Sequence, residues 1–170
     1  MALPLAHSQC HDAENSVPEL RPTIALPVAA RRWKNGENPT AVLIAPADTT
    51  KPVSLGFGST YVMDDPITVS PDPSSEIIGR AQGTFSFASL GDPALAMAIT
   101  MTFTTGPYNG STLTILGNNP ITHAYRQMPI LGGTGAFQLA QGIATVNTVT
   151  VDIAKLNDIL EYHVVILHYY

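Results

Sequence analysis

A chain of 170 residues suits one domain with its own core, since about this length hides roughly 70% of the unfolded surface. It is 45% hydrophobic and only 12% charged, and eight Lys and Arg against 13 Asp and Glu leave a formal net charge of −5. That balance excludes a nucleic-acid binder, which needs clustered cations, and the apolar share excludes a disordered chain. The one cysteine, Cys10, excludes an internal disulfide and a Cys-based zinc site. No apolar run approaches the roughly 20 residues of a membrane helix, so no membrane partner is expected.

Residues 1–21 are polar and without period and read as a flexible tail, leaving 22–170 as the domain. The opening MALPLAHSQ has too short an apolar core for a secretory signal, which needs about 7–15 residues. Early strands are expected near Thr23–Ala30, Thr40–Ala45 and Phe57–Met63. The trio Arg31, Arg32 and Lys34 between the first two reads as a solvated loop. Asp64-Asp65-Pro66 reads as the turn that ends the third strand, because adjacent strand residues face opposite sides and cannot pair their carboxyls. Glu76–Leu90 alternates, with Phe85 and Phe87 on one row and Arg80, Gln82, Thr84 and Ser86 on the other.

Ala94–Thr105 is the clearest strand. Leu95, Met97, Ile99, Met101 and Phe103 point one way and Ala or Thr point the other, the period of two that defines a strand. Neither row is charged, so both faces are expected to be covered. Asn109-Gly110 is a two-residue hairpin signal of the type I′ kind, folding Ser111–Leu116 back on that strand. Gly117-Asn118-Asn119-Pro120 and Gly132-Gly133-Thr134-Gly135 read as two further reversals. Ala136–Val151 and Ile159–Tyr169 bring the expected strands to eight, and Asp152–Leu160 is the one helix candidate, about two turns long. Such a meander predicts an all-β antiparallel sheet, closed into a barrel that removes its edges, with a neutral interior and outer rows covered by oligomerisation.

Between Ala81 and Thr150 only Asp92 and Arg126 carry charge. Asp92 sits in LGDPA, where Asp caps its own backbone. Arg126 is either a strand-edge cation facing solvent or a guanidinium at a pocket mouth, aimed at a phenolic or carboxylate oxygen. His123 and Tyr125 share a face and suit either surface hydrogen bonding or acid–base work. His163 and His168 face opposite ways on a strand and cannot share a metal. Neither a metalloprotease motif, a nucleophile elbow nor a P-loop is present, and GGTG lacks the Lys-Ser/Thr that a phosphate cradle needs. Asn109-Gly110-Ser111 is a glycosylation sequon.

The segments VMDDPIT…PDPSSEIIGRAQG, YNGSTLTILGNNP, YRQMPILGGTGAFQLAQGIA and LEYHVVILHY resemble the plant dirigent proteins, colinearly over about Thr40–Tyr169. The YNGST and LGxNP pattern is similar to one subgroup rather than to that of the pinoresinol-forming members. The resemblance implies an eight-stranded antiparallel barrel assembled as a homotrimer, extracellular in the plant cell wall, often glycosylated (here at Asn109), with no cofactor. It implies that an external laccase or peroxidase makes phenoxy radicals from small phenols and that the barrel orients them so that coupling gives one stereoisomer. Some relatives instead process a quinone methide, as in pterocarpan formation, and a non-catalytic phenol-binding role is a further alternative.

Carried over by position, the family's pocket arginine falls on Arg126, a pocket aspartate on Asn119, and two pocket tyrosines on Phe85 and Phe87. The family's first-strand aspartate has no counterpart in ALPVAARRWKNGENPTAV. A lining without carboxylates favours orientation of radicals over acid–base chemistry, with Arg126 as the retained polar group.

Overall fold

The structure, a computed structural model, describes residues 20–33, 38–47, 56–72, 74–152 and 157–169. Its strands are β1 (Leu20–Trp33), β2 (Ala41–Ala45), β3 (Thr60–Thr68), β4 (Ile77–Phe87), β5 (Ala94–Phe103), β6 (Thr112–Pro120), β7 (Arg126–Thr134), β8 (Gln141–Asp152) and β9 (Asn157–Tyr169). From β3 to β9 each strand pairs antiparallel with the next, and β9 pairs with β1. β1 then pairs with β3 through Ala29↔Thr68 and Ala30↔Ile67, which closes a ring of eight strands. β2 lies outside that ring, beside the first half of β3 from Ala41↔Met63 to Ala45↔Thr60. The expected barrel is present, with one strand assigned differently: β7 completes the ring and β2 is an appendage.

The period of two sorts side chains between lumen and exterior. On β5, Leu95, Met97, Ile99, Met101 and Phe103 face inward and are buried, while Ala96 and Ala98 are exposed. Burying each of those large side chains contributes about 1.5–3 kcal/mol, so this strand alone pins its register. Closure satisfies the backbone groups that an open sheet would leave at its edges.

The Asn109-Gly110 hairpin forms through a different turn from the type I′ expected. A 3₁₀ turn at Gly106–Tyr108 precedes Asn109 (φ −51°, ψ 131°) and Gly110 (φ 80°), and Ser111 N–H donates to Tyr108 O at 2.9 Å. This is type II geometry, in which only the second central residue needs positive φ, and Gly110 supplies it. The chain repeats the device at Gly135–Phe137, with Leu139 at φ 60° in place of glycine. Tyr108 and Phe137 from these two turns meet with ring centroids 4.9 Å apart and close one end of the barrel against Phe103.

Other expectations shift. Gly117–Pro120 lies inside β6, and the reversal falls at residues 121–125. The next reversal moves from Gly132–Gly135 to Gly135–Leu139, because pairing with β6 holds β7 extended as far as Thr134. Where the expected helix at Asp152–Leu160 is described it is strand instead: Asp152 ends β8 and pairs with Asn157, which opens β9, and residues 153–156 lie outside the described residues. β-branched Thr148–Val151 and the eleven register pairs between β8 and β9 outweigh a two-turn helical pattern. Except for Leu20 and Arg21, which open β1, the expected tail at 1–21 lies outside the described residues.

Candidate functional site

Opposite the aromatic plug, β1, β4, β6 and β8 end and β3, β5, β7 and β9 begin. Here the inward rows change from apolar to polar. On β3 the row Tyr61, Met63, Asp65, Ile67 carries a carboxyl. On β9 the row Leu160, Tyr162, Val164, Ile166 extends back to Asp158. The inward row of β1, Val28 and Ala30, ends on Arg32.

Arg32 organises this end. Its Nε donates to Asp65 Oδ2 at 3.2 Å, its Nη1 lies 3.5 Å from Asp158 Oδ2, and its Nη2 meets Met63 Sδ at 3.5 Å. Its guanidinium carbon stands 4.4 Å over the Phe85 ring, a cation–π geometry, and Tyr61 stacks against Phe85 at 4.9 Å and 5°. Thr40 Oγ1 donates to Asp65 Oδ1 at 2.6 Å. Thr40 lies where the chain enters β2, so the Arg32–Asp65–Thr40 group ties together the two segments that share one edge of β3. Burial opposes the charge on Arg32, but Asp158 and Asp65 more than restore it and raise its pKa. Burial pushes the Asp65 carboxyl up to about 6, against the pull of Arg32 and Thr40.

Arg126, the first residue of β7, is buried in the same end. It donates from Nε to Val146 O (3.2 Å), from Nη1 to Asn119 Oδ1 (3.4 Å) and from Nη2 to Thr148 Oγ1 (2.7 Å), and Asn119 Nδ2 donates to Met97 Sδ (3.2 Å). Burial lowers its pKa. Tyr162 interacts electrostatically with both Arg32 and Arg126, and burial raises its phenol to about 12. A cleft of ≈ 240 Å³ opens at this end, lined by Arg32, Asp158 and Ile159 with the strand-end residues Thr150–Asp152 and Asn157. A larger hollow of ≈ 560 Å³ lies nearby between the turns, lined by Phe57, Leu90, Asp92 and His123 among others, and it holds none of these lumen groups. No cluster of three His, Cys, Asp or Glu that could hold a metal is found among the described residues.

Three of the residues singled out by sequence meet here: Arg126 touches Asn119, and Phe85 lies under Arg32. Phe87 is half-buried beside Tyr61 at 6.4 Å. His123 and Tyr125 lie in the exposed turn before Arg126, and Asn109 is exposed at the opposite end.

The neutral lining is overturned. Arg31 and Arg32 are buried strand residues rather than a solvated loop, and Lys34 lies outside the described residues. Asp64-Asp65 is not a turn but the middle of β3, where Asp64 faces outward to Arg80 at 2.8 Å and Asp65 faces inward. Asp158 and Tyr162 were not anticipated. Parity was the available signal: Asp65 falls on the row of Met63 and Ile67, and Asp158 and Tyr162 on that of Leu160 and Val164.

A family model described as dirigent-like protein matches residues 30–167. Dirigent protein 1 of Arabidopsis thaliana is 42% identical over 134 residues, 79% of this chain and 72% of that protein. Pterocarpan synthase 1 of Glycine max is 42% identical over 135 residues, 79% of this chain and 73% of that one. The solved pterocarpan synthase dirigent protein GePTS1 superposes with a TM-score of 0.83 at 38% identity, covering 90% of this chain and 93% of its own. With the same ring of strands and this much shared sequence, the chain belongs to the dirigent family.

Proposed function

We propose that the barrel takes an oxygenated aromatic guest at its polar end and directs proton transfers on it, in the manner of a quinone-methide-forming cyclase. The observation that carries this reading is the Asp158 carboxylate lining the cleft, with Oδ1 buried and making no hydrogen bond to the protein, beside the Arg32 guanidinium and the Phe85–Tyr61 stack. A lining free of carboxylates would favour orientation of radicals without acid–base help, but Asp65 and Asp158 lie at this end of the barrel. In the proposed reaction a phenolic carbinol loses water to give a quinone methide. A second hydroxyl of the guest then adds to the methide carbon as its proton departs. The net change is the carbinol C–O bond exchanged for a C–O bond to the second hydroxyl, with one water lost, the phenol O–H restored by the departing proton and no electron exchanged, so no oxidant is needed. Asp158 accepts or returns the moving proton, a role worth about 10²–10⁴-fold. Arg126, fixed by three acceptors, holds a guest oxygen through its remaining N–H groups.

The test is incubation with a phenolic carbinol bearing a second hydroxyl, without oxidase, followed by chiral chromatography. One-handed ring closure that falls at least tenfold in Asp158→Asn supports the reading. No turnover here, with one-handed coupling of a monolignol once a laccase is added, would instead support the orienting role. Relatives of equal identity are named dirigent protein and pterocarpan synthase. We further propose that the protein works outside the plant cell as a homotrimer, with exposed Val42, Leu43, Ile44 and Val62 among the surfaces to be covered.

A further inference from the structure

Tyr162 is the largest of the fully buried side chains, at 0% exposed, and its hydroxyl makes no hydrogen bond to the protein. A buried hydroxyl without a partner costs about 1–3 kcal/mol, so for an empty barrel phenylalanine would be the better residue at this position. The strand that carries Tyr162 fixes where its ring goes. β9 pairs it with Val28 on one side and Val146 on the other, and the neighbouring inward residues Leu160 and Val164 are buried and apolar. Asp158, at the cleft, lies four residues earlier on the same face, roughly 13 Å along the strand. Arg32, from β1, joins the two, being paired with Asp158 and electrostatically coupled to Tyr162. Arg126 approaches the same phenol from β7, and its own hydrogen bonds go to Val146, Asn119 and Thr148 rather than to Tyr162.

We infer that the Tyr162 hydroxyl is a binding group for the guest: it donates a hydrogen bond to an acceptor oxygen, a carbonyl or phenolic oxygen, that enters the lumen past Arg32. The surroundings fix the direction of the bond. Burial keeps the phenol protonated well above neutral pH, so it remains a donor. Arg32 and Arg126 act on the phenol from one side of the charge balance and the carboxyls of Asp65 and Asp158 from the other, and the guanidinium groups are the ones that favour an electron-rich guest oxygen beside it. Asp158, with its unpartnered Oδ1, offers an acceptor at the mouth, so the guest presents a donor there and an acceptor farther along the strand toward Tyr162. This inference rests on the cleft end of the barrel being the guest site, but not on which reaction follows.

The test compares wild type with Tyr162→Phe using two probes, a hydroxyflavanone (phenol and ketone) and the hydroxyflavan that lacks the ketone, with affinity by titration calorimetry and stability by urea denaturation. The expected result is a variant at least as stable as wild type that binds the ketone probe five- to tenfold more weakly and the deoxy probe equally well. A variant that binds both probes as wild type does overturns the role of Tyr162 and leaves the site reading intact. A variant destabilised by more than tenfold in the unfolding equilibrium shows a hydroxyl already satisfied in the empty protein, and also overturns it. If wild type binds neither probe, the site reading fails and this inference with it.

Discussion

Asp65 has two influences working against each other. Burial favours the neutral acid, whereas Arg32 at 3.2 Å and Thr40 at 2.6 Å favour the carboxylate. Desolvation prevails and the pKa rises from 3.8 to about 6. A carboxyl whose folded pKa exceeds its unfolded one binds more protons when folded. Its stabilising contribution is therefore fully present below about pH 4 and is lost as pH rises through about 6. Two pKa units at about 1.4 kcal/mol each make that loss about 3 kcal/mol. Asp65→Asn keeps the shape and an acceptor for Thr40 but does not titrate. Urea denaturation of both proteins between about pH 4 and pH 7 should show wild type losing about 3 kcal/mol relative to the variant across that window. The opposite slope, with wild type gaining on the variant as pH rises, would refute the reasoning: it would mean that the Arg32 pairing dominates and holds the carboxyl below its ordinary range.

Arg126→Met removes donors to Val146, Asn119 and Thr148, and should cost about 1–3 kcal/mol in unfolding free energy. It should also abolish one-handed product formation; retained stereoselectivity by chiral chromatography would remove Arg126 from the site. Leu139 holds φ 60° in an exposed turn, so Leu139→Gly should raise stability by about 1 kcal/mol in the same denaturation assay, and a loss would show that its side chain packs productively. Gly79→Ala would drive a methyl into the Thr102 carbonyl of the paired strand, and circular dichroism should report loss of the β fold at a markedly lower temperature.

How much of this was legible depends on how local each signal is. The uncharged alternation of 94–103 identified a strand buried on its inner face, and Asn109-Gly110 identified a hairpin, because both are written within a few consecutive residues. Arg126 was visible as one of two charges in a 70-residue stretch. The rest of the site depends on pairings between distant segments. Arg32 looks solvated among Arg31, Trp33 and Lys34, and only the β1–β3 seam brings it to Asp65, 33 residues away. Asp158 was hidden by a helical pattern in a segment that β8 recruits as a strand. Polar residues at the ends of inward rows read locally as turn residues, and only ring closure turns them into a lining.

The most direct test of a polar-ended barrel that steers proton transfer is the enantiomeric composition of product from one phenolic carbinol, run side by side with and without added oxidase. The account predicts the same single-handed product in both incubations. Racemic product in both, or handedness that appears only when the oxidase is present, would contradict it.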